Sequence, residues 1–202
     1  MKIAIFGGSG FIGTEITTHL LKEGHHVSIF TRNPKEPTHI LWNPNQVDGW
    51  ERPLNNTHIV INLTGEPIAD RPWTKKRRQQ LRDSRINTTK TLVSALKTLT
   101  TPPKLFINAS AIGIYPTQPT LTHEQGYTED DTPGTDFLAT LCQEWEKQAH
   151  EAHNIMRVCC LRIGMVLGKK GLLSKLVFPF KYGLGHVFGH GETPFSWIHS
   201  QD

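Results

Sequence analysis

Cysteine is scarce in this chain. Its 202 residues hold three, Cys142, Cys159 and Cys160. An odd number with two adjacent makes no disulfide framework, and a reducing compartment, the cytoplasm, is the expected location. The thiols make no metal site either: neither a C-x-x-C spacing nor a paired-histidine spacing comes with enough partners. Long apolar runs are also missing. No stretch of about 18 apolar residues occurs, so no membrane span is expected. Met1-Lys2 leads into a few apolar residues and then glycines, which is not the layout of a signal peptide. Internal repeats and low-complexity segments are absent.

Acidic excess is lacking too, since the net charge is +4. The basic excess is local: Lys75, Lys76, Arg77, Arg78, Arg82 and Arg85 fall within one short run. Such a run reads as a solvated helix face. No interleaved aromatics or recognition-helix pattern accompanies it, so it does not identify a nucleic-acid module.

What is present is an alternation of strand-like and helix-like stretches in a chain long enough for one domain, or one and a fraction. Residues 2–6 predict a buried strand. Residues 11–23 predict a helix with Phe11, Ile12, Ile16, Leu20 and Leu21 on one side, stopped at Gly24. Residues 26–30, 58–63, 105–109 and 156–163 predict further strands. Residues 74–99 predict a helix, and another starts at Thr135 or Asp136 with Leu138, Leu141, Cys142, Trp145 and Ala149 as its apolar stripe. Repeated β-α-β alternation implies an α/β fold, a doubly wound parallel sheet covered on both faces. Such sheets take ligands at the carboxyl ends of their strands.

The first strand runs into Gly7, Gly10 and Gly13, spaced G-x-x-G-x-x-G. The first glycine permits a sharp turn, the second a close approach to a pyrophosphate, and the third close packing of the helix. The helix N-terminus then favours an anion. A glycine triplet is common, but one that follows a strand, opens a helix and starts a β-α-β unit points to a dinucleotide. The second strand ends at Thr31-Arg32. NAD sites usually place Asp or Glu there, whereas an arginine presents a planar set of donors to a 2′-phosphate. NADP is therefore the expected cofactor, ahead of NAD.

Six further stretches carry a resemblance: INLTGEPIADRPWT (61–74), DSRINTTKTLV (83–93), NASAIGIY (108–115), DFLATLCQEWEKQA (136–149), LRIGMVLGKKG (161–171) and FPFKYGLGHVFGHGETPFSWIH (178–199). With the glycine turn they resemble the atypical extended short-chain dehydrogenase/reductases of the epimerase family, which are sugar-nucleotide-epimerase-like. The resemblance implies a Rossmann-like NAD(P)-binding domain over 1–165 and the beginning of a smaller C-terminal substrate lobe over 166–202. Members run longer, so the chain resembles a truncated version, with apolar surface exposed where that lobe would pack.

The same resemblance implies site residues. Gly7, Ser9, Gly10, Phe11, Ile12 and Gly13 would contact the cofactor phosphates, and Thr31 and Arg32 the adenosine ribose phosphate. Leu63, Thr64, Gly65 and Glu66 would lie beside the cofactor. Arg85 and Asn87 would face the cleft, and His199, near Trp197, would line the substrate pocket. Working members also use a Ser or Thr, a Tyr, and a Lys four residues after it. The tyrosinate is the acid/base, and the lysine lowers its pKa. Here the Tyr and Lys slots fall on Leu138 and Cys142, and the Ser slot on Ala111, one past Ser110. Tyr115, Tyr127 and Tyr182 are followed four residues later by Pro119, Asp131 and His186. Ser110 and Tyr115 remain the catalytic candidates, although the Tyr115 ring also suits packing under a loop. Cys142 reads as a buried thiol. His150 and His153 suit a helix C-terminus, and Glu129, Asp130 and Asp131 suit a solvated loop.

The implied function is NADP-dependent hydride transfer on a sugar nucleotide or another carbonyl or alcohol, with a non-standard active site. The alternative is a dinucleotide-binding sensor without turnover. The implied partners are the dinucleotide and an unidentified small molecule. A homodimer is compatible with such a module, and neither nucleic acid nor membrane is expected.

Overall fold

The computed structural model describes residues 1–116, 126–185 and 196–202. The part of the 178–199 stretch that covers 186–195 lies outside the described residues.

Six strands form one parallel sheet: β1 (Lys2–Phe6), β2 (His26–Thr31), β3 (His39–Leu41), β4 (Ile59–Asn62), β5 (Leu105–Ala111) and β6 (Arg157–Ile163). Their order is β3-β2-β1-β4-β5-β6. The chain works outward from β1 to β3, then returns to β4 on the other side of β1. The order therefore reverses between β1 and β4, where an open α/β sheet leaves a crevice. The register sets Phe6 beside Phe30 of β2 and beside Asn62 of β4, so the three strands end level.

The period of two along β1 divides the core. Ile3 and Ile5 join Val27, Ile29 and Ile61 on one face, against Ile16 and Leu20 of α1 (Phe11–Lys22). Ala4 and Phe6 join Val60 and Phe106 on the other, against Leu92 and Leu96 of α2 (Lys75–Lys97) and Ala149 of α3 (Phe137–His150). Both faces are covered, as expected for a doubly wound α/β sheet. Phe6 stacks on Phe30 at 4.4 Å, and Trp42 meets Phe6 edge-on at 4.7 Å, closing the β2–β3 side of the core.

Local chemistry sets the helix ends. Thr74 Oγ1 accepts from the Arg77 N–H at 3.2 Å and starts α2. Asp136, rather than Thr135, caps α3, accepting from the Ala139 N–H at 2.9 Å. One-sided burial of α1 needs a correction: Leu21 is 53% exposed. It stands in line with Thr14, Thr17 and Thr18 on the helix face turned to the cleft rather than the sheet. Leu138 of the α3 stripe is only half-buried, lying over Gly113.

Past β6 the chain forms a second, two-stranded parallel sheet from β7 (Met165–Leu167) and β8 (Trp197–His199), with α4 (Leu172–Lys181) following β7. Apolar side chains are exposed here: Phe178, Phe180, Tyr182, Leu184 and Trp197 each show more than half of their surface. No described helix is long and apolar enough to cross a membrane.

Candidate functional site

The reversal point between β1 and β4 opens into a cleft of about 1060 Å³. Its floor is the glycine turn. Gly7 has φ +79°, and a Cβ there would stand 2.9 Å from the carbonyl oxygen of Leu63, so only glycine fits both the backbone and the space. The Gly10 N–H donates to the Gly7 carbonyl at 3.1 Å and closes the turn. Gly10 is the N-cap of α1, with no side-chain cap. The first amides of the helix are therefore open to a ligand. A Cβ on Gly13 would come within 2.5 Å of Gly8 Cα, so the third glycine lets the helix lie against the turn. Bare backbone, uncapped amides and level strand ends together suit a pyrophosphate.

Gly7, Ser9 and Gly10 line the cleft, as do Gly8 and Thr14. Phe11, Ile12 and Gly13 are not among its lining side chains. The Phe11 ring instead covers Gly168 and Gly171, so close that a Cβ on Gly168 would stand 2.7 Å from Phe11 Cζ. It joins α1 to the segment after β7.

The cleft reaches the end of β2, where Thr31, Arg32, Asn33, Lys35 and Glu36 line it. Thr31 Oγ1 accepts from the Asn33 N–H at 3.3 Å and shapes this corner. The Lys35 N–H donates to His39 Nδ1 at 3.1 Å. Arg32 is thus joined by a second cation that sequence reasoning missed, although a lysine three residues past Arg32 was a usable signal. Residues 31–33 carry no carboxylate.

Leu63, Thr64, Gly65 and Glu66 form the opposite wall. Asn62, fully buried at the end of β4, organises it from below. Its Oδ1 accepts from Thr64 Oγ1 at 2.6 Å and from the Thr64 N–H at 3.2 Å. Its Nδ2 donates to Asn108 Oδ1 at 2.7 Å and Thr89 Oγ1 at 3.0 Å, and Trp145 Nε1 donates to the same Thr89 oxygen at 2.9 Å. Every polar arm of this buried asparagine is used, so the wall stands on a satisfied network.

The basic run of α2 is not wholly solvated: Arg77 and Arg85 are buried. They are stabilised there by the loop after β4. Arg77 pairs with Glu66 at 3.2 Å and donates to the Pro67 carbonyl at 2.6 Å. Arg85 donates to the Leu81 and Glu66 carbonyls at 3.1 and 3.0 Å. Burial lowers the Arg85 pKa. Expected in the cleft, Arg85 does not line it, whereas Asn87 does.

The catalytic candidates lie elsewhere. Ser110, buried in β5, donates its hydroxyl to Glu146 Oε1 at 2.5 Å. Glu146 in turn holds Arg162 of β6, Nε to Oε1 at 3.0 Å and Nη2 to Oε2 at 3.1 Å. Arg162 Nη1 donates to the Tyr115 phenol oxygen at 3.0 Å, and the Tyr115 ring stacks on Tyr127 at 5.0 Å. The hydrogen bond with Glu146 raises the Arg162 pKa. Neither Ser110 nor Tyr115 is among the cleft's lining residues, and neither is His199, which is exposed on β8 and accepts from the Gln201 N–H at 3.3 Å. Cys142 is buried, and burial pushes its thiol up to about 11. It is neutral near pH 7 and supplies neither a cation nor a thiolate. No cluster of three or more metal-ligating side chains occurs among the described residues.

A parallel sheet of order 3-2-1-4-5-6, with a glycine turn and an open helix N-terminus at its reversal point, defines a Rossmann-like protein. The chain matches the NAD dependent epimerase/dehydratase family over residues 3–202 and belongs to it. It is 36% identical over 209 residues to the epimerase family protein YfhF of Bacillus subtilis, covering 100% of this chain and 67% of that protein. It is 36% identical over 206 residues to mouse SDR39U1, with the same coverage. Among solved structures, human SDR39U1 (isoform 2) with NADPH superposes with a TM-score of 0.88 at 33% identity, over 100% of this chain and 67% of that one. A nucleoside-diphosphate sugar epimerase from Corynebacterium glutamicum superposes with a TM-score of 0.82 at 30% identity, over 100% of this chain and 41% of that one. The chain thus spans about two thirds of the length of YfhF and SDR39U1.

Proposed function

We propose that the protein binds NADP(H) in the cleft between β1 and β4 and uses it for hydride transfer on a carbonyl or alcohol, with a sugar nucleotide as the leading substrate class. One observation carries this: the Gly7–Gly13 cradle opens at its β2 end onto Arg32 and Lys35, with no carboxylate at residues 31–33. Arg32 and Lys35 outweigh the one carboxylate of Glu36 that lines the same corner, and a net positive corner suits a 2′-phosphate. The human relative crystallised with NADPH supports the same choice.

In this scheme the Gly7–Gly10 turn and the open first amides of α1, from Phe11 to Gly13, hold the pyrophosphate, and Arg32 grips the 2′-phosphate. Leu63 to Glu66 bound the other half of the dinucleotide. The nicotinamide ring supplies or accepts the hydride when bound. Proton transfer falls to a group outside the usual slots, because Leu138 has no ionisable group and Cys142 stays protonated. Tyr115 is the candidate, its phenol oxygen held by Arg162, with Ser110 alongside on β5. Oxidation of NADPH against a panel of sugar nucleotides and small carbonyls tests this. Turnover lost in Tyr115→Phe and kept in Tyr127→Phe supports it.

A second function is favoured by a specific observation, the buried neutral Cys142 and the apolar Leu138 in place of lysine and tyrosine. It is a dinucleotide sensor without turnover. Tight NADPH binding with no substrate consumed anywhere in the panel selects it.

A further inference from the structure

The cleft wall on the β4 side is made of backbone without a regular partner. The chain leaves β4 at Asn62 and enters α2 only at Lys75. Peptide groups in such a segment need hydrogen bonds from elsewhere, and α2 provides them from beneath. The Glu66 N–H donates to Ser84 Oγ at 3.1 Å, and the Glu66 carbonyl accepts from Arg85 Nη2 at 3.0 Å.

Arg85 is the central member of this support. It is 8% exposed, and its guanidinium lies 5.2 Å from the Trp145 ring centroid. Its Nη1 is anchored on the Leu81 carbonyl one turn back. It also occupies the space that Gly65 leaves, since a Cβ on Gly65 would stand 3.0 Å from Arg85 Cζ. Burying a guanidinium is costly unless its donors are used. An apolar side chain would fill the same volume beside Trp145 at no such cost. What it could not do is hold the Glu66 carbonyl.

The position of this support relative to the cleft gives it a meaning. The adenosine half of a dinucleotide lies over β2, and the pyrophosphate crosses the glycine turn. The Gly65–Glu66 wall lies on the far side of the reversal point, over β4, where the other half is seated. We propose that Arg85 is a positioning residue for the dinucleotide: it fixes the Gly65–Glu66 wall where the non-adenosine half seats, and has no part in holding the adenosine half. This rests on NADP(H) being the ligand of the cleft.

The test compares two probes by calorimetry: NADPH, and adenosine 2′,5′-bisphosphate, which carries only the adenosine half and its 2′-phosphate. Wild-type protein is titrated beside Arg85→Met, which keeps the stem beside Trp145, and Gly65→Ala, which displaces the guanidinium from the opposite side. Both variants are expected to weaken NADPH about tenfold while the bisphosphate stays within about twofold, the size of effect expected from one lost hydrogen bond to a charged group. Ser84→Ala, which removes the acceptor of the Glu66 N–H and a 3.4 Å bond from Arg85 Nη1 but keeps the Arg85 bonds to the Leu81 and Glu66 carbonyls, provides the same ratio should Arg85→Met fold poorly. Its expected effect is smaller and in the same direction. Equal weakening of both probes, or a lowered melting temperature with the ratio unchanged, would mean a merely structural Arg85 and overturn the proposal. Wild-type protein that binds neither probe would instead defeat the cofactor assignment, a distinguishable failure that removes this proposal with it.

Discussion

Arg162 and Glu146 meet through two parallel hydrogen bonds, Nε to Oε1 at 3.0 Å and Nη2 to Oε2 at 3.1 Å, and so tie β6 to α3. Ser110 of β5 adds its hydroxyl to the same carboxylate. Three elements thus share one mostly buried charged group. Glu146→Gln is expected to cost about 2–3 kcal/mol, because the partly buried Arg162 loses its counter-charge and both charge-assisted hydrogen bonds are weakened. Ser110→Ala is expected to cost about 1.5 kcal/mol, the low end for one hydrogen bond to a charged group. Urea denaturation of the two variants beside wild type checks the order, and a larger loss in Ser110→Ala than in Glu146→Gln would contradict it.

The glycine turn predicts a contrast between two alanines. Gly13→Ala sets a Cβ within 2.5 Å of Gly8 backbone, so the turn must shift and the phosphate cradle with it. NADPH affinity is expected to fall at least about tenfold. Gly24, at φ +77°, has nothing within 4 Å of the point where a Cβ would stand. Gly24→Ala should cost only the left-handed backbone conformation, about 1 kcal/mol, and leave binding intact. Calorimetry and thermal melting on the two variants separate the effects.

The buried thiol predicts a slope in stability at alkaline pH. Burial raises the Cys142 pKa from 9.0 to about 11. Above pH 9 the unfolded thiol loses its proton while the folded one keeps it, so the native state binds more protons and stability falls as pH rises toward 11. Below pH 9 both forms are protonated and the contribution is constant. Cys142→Ala should flatten the wild-type slope between pH 9 and 11 by about one proton. Denaturation midpoints at pH 7, 9 and 10.5 measure it, and parallel slopes in the two proteins would count against a buried Cys142.

The regular part of the fold was legible in the sequence because its signals are local. β1 alternates its buried faces over five residues, α1 starts on a glycine turn, and Asp136 caps α3 by accepting from an N–H only three residues on. β3 escaped because three residues are too few for a period. The glycine cradle and Arg32 were legible for the same local reason. Arg85 was not: a charge inside a basic run reads as solvated, and only the folded loop at Glu66 gives it a partner nineteen residues away. The Ser110–Glu146 bond spans 36 residues, and no spacing rule links them. Sequence placed the serine near the strand end, but its partner exists only once α3 packs on β5.

The most direct measurement is a titration of NADPH and NADH into wild-type protein and Arg32→Ala. Wild type is expected to bind NADPH at least about tenfold more tightly than NADH, and Arg32→Ala to lose that preference by weakening NADPH alone. Equal wild-type affinity for the two cofactors, unchanged by the substitution, would contradict a 2′-phosphate site at the end of β2.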